Sequence, residues 1–249
     1  MTQRTVLITG GIGGIGSALC KDFLQNGYRV VANYHPAEED EAQAWLQRRL
    51  DEGGQDIWVA PGDVASFQSC VEMAEKVKSE IGSIDTLINC AGVTRDKTFR
   101  KMTEEMWHDV IQIDLTGVFN VTRQFIDDMT SQEFGRIVNI SSVNGQKGQF
   151  GQTNYSAAKA GVHGFSMALA QEVARKGITV NTISPGYVET PLTSAMSQEI
   201  LNEIVKHVPI GRMAKPEEIS FAVLMLCDKK ASYISGANLA VNGGFFMSF

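Results

Sequence analysis

The sequence predicts an α/β fold, a doubly wound parallel sheet of seven strands within a single domain. Three observations carry that prediction. Short β-branched or apolar runs alternate with longer stretches of helical apolar spacing, the order that parallel βαβ units require. A glycine-rich turn stands between the first such run and the first helix. The chain of 249 residues has the size of one large α/β domain, and no repeat, low-complexity tract or linker divides it.

The elements follow in order. "TVLIT" reads as the first strand, and "TGGIGGIG" then turns into a helix over residues 13–26. "RVVAN" is the second strand; residues 36–54 are polar and carry no clear period. "DIWVA" leads to a helix over 66–81, "DTLIN" to a helix over 104–131, and "RIVNIS" to a helix over 153–176. After "ITVNTIS", residues 187–207 look like an insertion of the kind that forms a substrate lid. Pro216 opens a helix over 216–227, and "ANLAVN" is the seventh strand.

Composition excludes several functions. A net charge of −6 opposes general nucleic-acid binding, which depends on cations that neutralise phosphates. The longest apolar run, "FAVLMLC", is far too short to span a bilayer. The amino terminus enters a strand at once and shows no secretory signal pattern, so a cytoplasmic location is expected. Cys20, Cys70, Cys90 and Cys227 stand apart without a CxxC pair, and the four histidines are equally dispersed, so no metal site and no disulfide framework is expected.

Two motifs suggest chemistry. Glycines directly after a strand permit a tight turn and close backbone approach, and the helix that follows offers unpaired N–H groups to a pyrophosphate. In "NYSAAKAG", Tyr155 and Lys159 lie four residues apart, on one face of a helix. Spacing alone leaves that pair open between surface decoration and a phenol tuned by an ammonium.

The loop spacing of Gly10, Gly14 and Gly16 resembles the TGxxxGxG loop of short-chain dehydrogenases/reductases. "NCAG" at 89–92, "YSAAK" at 155–159 and "SPGYVETP" at 184–191 stand in the order of that family. The resemblance implies a Rossmann-type domain, a homotetramer, and NAD(P)-dependent carbonyl or alcohol chemistry. It implies that Gly10, Gly13, Gly14, Ile15 and Gly16 hold the cofactor, with Tyr34 and His35 at the adenosine ribose and Asp63 and Val64 at the adenine. Asn89, Ala91 and Gly92 would line the cofactor, and Pro185, Gly186, Val188 and Thr190 would flank the nicotinamide. Asp63 can also be read as a turn residue. Tyr34 and His35 supply no carboxylate to the ribose, which favours NADPH/NADP; no phosphate-holding base is evident, and Glu38, Glu39 and Asp40 follow.

By the same resemblance Tyr155 gives a proton to the substrate oxygen, Lys159 lowers the phenol pKa from its ordinary value of about 10, and Ser142, thirteen residues before Tyr155, orients the carbonyl. Asp114 stands where the family commonly has Asn; it is expected to keep a water link, to pair with Lys159, or to be a satisfied buried acid. Cys90 likewise replaces a common Asn. Residues 136–187 resemble the acetoacetyl-CoA reductases of this family, which make (R)-3-hydroxybutyryl-CoA for polyhydroxyalkanoate synthesis. That implies acetoacetyl-CoA as the partner, with Asp96, Gln149, Phe150, Gln152 and Tyr187 bordering its acyl group. Arg95, Lys97, Arg100, Lys101 and Lys147 either meet CoA phosphates or are solvated. The alternatives are a 3-oxoacyl-acyl-carrier-protein reductase and a non-catalytic nucleotide-binding regulator.

Overall fold

A computed structural model describes residues 3–194 and 197–247. Ala195 and Met196, within the expected lid, lie outside the described residues. In chain order the elements are β1 (Thr5–Ile8), α1 (Gly14–Gln25), β2 (Arg29–Tyr34), α2 (Glu39–Asp51), β3 (Ile57–Pro61), α3 (Phe67–Glu80) and β4 (Thr86–Asn89). Then come α4 (Glu104–Ile111), α5 (Gly117–Gln132), β5 (Gly135–Ile140), α6 (Val143–Lys147), α7 (Thr153–Val173), β6 (Ile178–Pro185), α8 (Pro191–Ser194), α9 (Gln198–His207), α10 (Pro216–Cys227) and β7 (Asn238–Val241). All seven predicted strands are present.

They form one parallel sheet in the order β3-β2-β1-β4-β5-β6-β7. Alternation along β1 divides the core in two. Val6 and Ile8 face Leu19 and Phe23 of α1, Trp45 of α2, and Ile219, Val223 and Leu226 of α10. Leu7 faces the opposite layer, with Met73 and Val77 of α3, Val121, Phe125 and Met129 of α5, and Ala170 and Val173 of α7. β1 pairs with β2 on one side and β4 on the other, so the chain leaves this point in both directions and opens a crevice at the carboxyl ends of the strands.

Three segments differ from the sequence reading. The polar stretch after β2 forms a short 3-10 turn at Pro36–Glu38 and then α2. Ala42 and Trp45 are the buried anchors of α2, and the Trp45 indole donates to Ser17 Oγ at 2.8 Å. The helix expected over 104–131 is interrupted by a π turn at Gln112–Thr116, the type of bulge that often marks a functional position. Residues 187–207, read as an insertion with no element assigned, carry two helices, α8 and α9. Among the described residues no helix is long and apolar enough to cross a membrane.

Candidate active site

The carboxyl end of β1 is tied to that of β4 by one hydroxyl: Thr9 Oγ1 accepts the N–H groups of Cys90 (2.9 Å) and Ala91 (3.0 Å). Gly10 has φ +61°, and a Cβ there would lie 3.0 Å from the Ala91 backbone. Gly13 precedes α1 without a side-chain cap, and the first turn of α1 holds no carboxylate. The N–H groups of that turn are thus open to a phosphate, and the positive end of the helix dipole favours one. These features fit a dinucleotide pyrophosphate. A Cβ on Gly16 would stand 2.1 Å from the Gly10 carbonyl oxygen. Gly16→Ala is therefore expected to abolish dinucleotide binding, as read by fluorescence titration; unchanged affinity would contradict this account of the loop.

A short path of contacts leads from the loop to the Lys. Gly10 abuts Ala91, and a Cβ on the next residue, Gly92, would lie 2.8 Å from Asp114 Oδ2 and 3.2 Å from Lys159 Nζ. Lys159, from α7, is buried, donates to the Ile140 carbonyl at 3.0 Å and lies 3.1 Å from Asp114 Oδ2. Asp114 is 0% exposed, is delivered by the π turn, and accepts the Val93 N–H at 2.8 Å through Oδ1. Of the three expectations for Asp114, direct pairing with Lys159 is what the structure shows. Burial is the largest influence on the Lys159 ammonium and works against it, but Asp114 and Tyr155 together outweigh burial and hold its pKa above the ordinary value.

Tyr155 sits one turn before Lys159, whose Nζ is 5.6 Å from the ring centroid. Its phenol pKa lies above the ordinary value, chiefly through burial and secondarily through Asp114, against the opposing pull of Lys159 and a hydrogen bond with Ser142. Lys159 pulls the pKa down, as expected, while desolvation and the carboxylate behind the Lys pull it up. Ser142 precedes α6 and caps it, accepting the Asn144 N–H at 3.1 Å. Ser141 donates to the Lys159 carbonyl at 2.8 Å and so fixes α7 against β5.

Comparison with known proteins agrees with this geometry. The family model described as short chain dehydrogenase matches residues 4–201. The chain belongs to the short-chain dehydrogenase family. An acetoacetyl-CoA reductase of Allochromatium vinosum is 56% identical over 98% of this chain and 99% of its own length. One of Cupriavidus necator is 51% identical over 99% and 100%. A 3-oxoacyl-[acyl-carrier-protein] reductase of Haemophilus influenzae is 38% identical over the full length of both.

In this short-chain dehydrogenase several other predicted residues converge. Gln152 Nε2 donates to Asp96 Oδ2 at 2.8 Å, and Gln152 Oε1 accepts from Asn144 at 2.9 Å. Burial and then the Asp96 charge raise the Tyr187 phenol pKa. Gln149 accepts from Lys147 at 2.8 Å. Phe150 is 87% exposed, on the turn between α6 and α7 that also carries Gln149 and Gln152. Gly186 donates to Val241, Val188 bridges to Ala214, and a Cβ on Gly14 would meet Thr190 at 2.8 Å, which brings the segment after Pro185 against the glycine loop.

Other positions serve the frame of the site. The Asn89 amide is buried and donates to Thr122 and Asn139. Asp63 Oδ1 accepts the Ala65 N–H at 2.9 Å in a turn, and the Val64 carbonyl accepts from Asn120. Tyr34 is buried, with its hydroxyl donating to Glu39, and His35 Nδ1 accepts the Ala37 N–H at 3.2 Å. Two contributors escaped the sequence reading. Asn154 donates to the Arg95 and Met106 carbonyls and so anchors the loop after β4 to α7. Phe245 packs against Tyr187, with centroids 5.6 Å apart, and lies 4.9 Å from Lys147 Nζ. The Asn beside Tyr155 was a readable signal; the distant tail gave none.

Proposed function

We propose that this dehydrogenase reduces the 3-keto group of acetoacetyl-CoA to (R)-3-hydroxybutyryl-CoA. It works as a cytoplasmic homotetrameric enzyme that supplies polyhydroxyalkanoate synthesis. The observation that carries the reaction type is the cluster of Ser142, Tyr155 and Lys159 joined to the glycine loop through Ala91 and Gly92. The choice of substrate is supported by identity of 51% and 56% to two acetoacetyl-CoA reductases, against 38% to a carrier-protein reductase.

The glycine loop and the segment Pro185–Thr190 would hold a reduced nicotinamide dinucleotide, which would supply the hydride. The Ser142 hydroxyl donates to the ketone oxygen and orients it, a preorganised contact of the type that stabilises developing negative charge. Tyr155 transfers its phenolic proton to that oxygen as charge develops. Lys159 stabilises the phenolate left behind, and Asp114 holds Lys159 in place and protonated. Asp96, Gln152 and Tyr187 border the acyl group. Tyr34 and His35 lack a carboxylate, which supports NADPH as the dinucleotide.

Parallel kinetics test the substrate. kcat/KM for acetoacetyl-CoA is expected to exceed that for acetoacetyl-acyl-carrier protein; a strong preference for the carrier protein would overturn this choice.

A further inference from the structure

Asp96 and Gln152 belong to one hydrogen-bonded chain that ends at the serine. Gln152 Nε2 donates to Asp96 Oδ2 at 2.8 Å, Asn144 Nδ2 donates to Gln152 Oε1 at 2.9 Å, and the Asn144 backbone N–H donates to Ser142 Oγ at 3.1 Å. The direction of the chain is set at the Asp96 end. A carboxylate only accepts, so Gln152 turns its NH2 to Asp96 and its oxygen to Asn144, and Asn144 must turn its own NH2 to Gln152. Asn144 is 9% exposed, and its Oδ1 is buried without a hydrogen-bond partner among the described residues. The two side-chain heavy atoms of the chain left unengaged there, Asp96 Oδ1 and Asn144 Oδ1, are both acceptors.

The carboxylate is held in position and has no counter-charge. On one side of it the Arg95 carbonyl accepts Asn154 Nδ2 at 3.2 Å; on the other the Lys97 N–H donates to the Gly151 carbonyl at 2.9 Å. Both ties run to the segment just before Tyr155. None of the ion pairs among the described residues includes Asp96. Arg95 turns to Asp109 at 3.3 Å, Lys147 is engaged by the Gly148 and Gln149 oxygens, and Lys159 is taken by Asp114. Burial is the main cause of the raised pKa of both Tyr155 and Tyr187, and the Asp96 charge adds to it in each, so its field reaches both phenols of the site.

We infer that Asp96 makes the acyl end of the site selective for a neutral 3-oxo thioester and closes it to the corresponding free 3-oxo acid. In the free acid the carboxylate is separated from the ketone by a single methylene, which brings a second negative charge into the field of Asp96. In the thioester the same position is an uncharged carbonyl. The charges of coenzyme A lie at the far end of the pantetheine arm, beyond the screening length of about 10 Å in 0.1 M salt. Asp96 thus acts on specificity through its charge and takes no part in proton transfer. The inference deepens the proposed reductase reading and rests on it.

The test is kcat/KM for ethyl acetoacetate and for acetoacetate, with the wild type and with Asp96→Asn, at low and at high salt. Asn keeps an oxygen for Gln152 and removes only the charge, and the ratio of ester to acid cancels any loss common to the two substrates. That ratio is expected to fall on the order of tenfold in Asp96→Asn, the scale of two like charges a few ångströms apart near a surface. In the wild type it should also fall as salt rises, which reads the same charge without a substitution; the variant should show little salt response. A ratio unchanged by Asp96→Asn, or an equal salt response in both proteins, overturns the inference and leaves the reductase reading intact. Absence of turnover with both acetoacetyl-CoA and the ester would instead overturn the reductase reading, and this inference with it.

Discussion

Tyr155→Phe is expected to lower kcat for acetoacetyl-CoA by about 100- to 10,000-fold, the usual contribution of a positioned general acid. The substitution removes one hydroxyl and keeps the ring, so the packing of α7 and the affinity for dinucleotide should be unchanged. Steady-state kinetics together with a binding titration separate the two effects. In the intact protein the raised phenol pKa has a definite consequence. Reduction needs the protonated phenol, and burial, followed by Asp114, raises its pKa. Activity in that direction should therefore persist through neutral pH and decline only on the alkaline side. Normal turnover in the Phe variant would remove Tyr155 from the mechanism.

Asp114→Asn should have the second largest effect. It takes the counter-charge from a Lys whose side chain is 5% exposed and which otherwise meets the Ile140 carbonyl. Removing one partner of a buried ion pair typically costs about 3 to 5 kcal/mol. Asn can still accept the Val93 N–H, which places the expected loss at the lower end of that range. The pH profile should move in a defined direction. Tyr155, Asp114 and the Cys90 thiol are the titratable groups that face Lys159. Without Asp114 the ammonium loses support against burial and releases its proton at lower pH. If Lys159 stays charged, the phenol, freed from the carboxylate, loses its proton more easily instead. Either way the alkaline limb for reduction moves to lower pH; the two groups titrate as a coupled pair. An unchanged profile with unchanged stability would show that Asp114 has no role distinct from that of an amide.

What the sequence discloses here is local. The strands are legible because they are short β-branched runs bounded by helices, and the glycine loop because its spacing is a property of neighbouring residues. The helix α2 is not legible: its acids and arginines hide a face anchored by little more than Ala42 and Trp45. Tyr155 and Lys159 can be read from their spacing, but the partner of Lys159 cannot. Asp114 reaches it from another element through a π turn that no periodicity announces. The same limit explains Tyr34. Its identity at the end of β2 does not disclose that α2 brings Glu39 onto its hydroxyl.

In the proposed mechanism the ketone oxygen receives its proton from the Tyr155 phenol while the carbonyl is being reduced. Single-turnover reduction of acetoacetyl-CoA, followed by cofactor absorbance in H2O and in D2O on the pH plateau, tests it most directly. Wild-type turnover is expected to be slower in D2O, and the Tyr155→Phe protein far slower with its dinucleotide still bound. Equal wild-type rates in the two solvents, joined to a Phe variant as fast as the wild type, would contradict it.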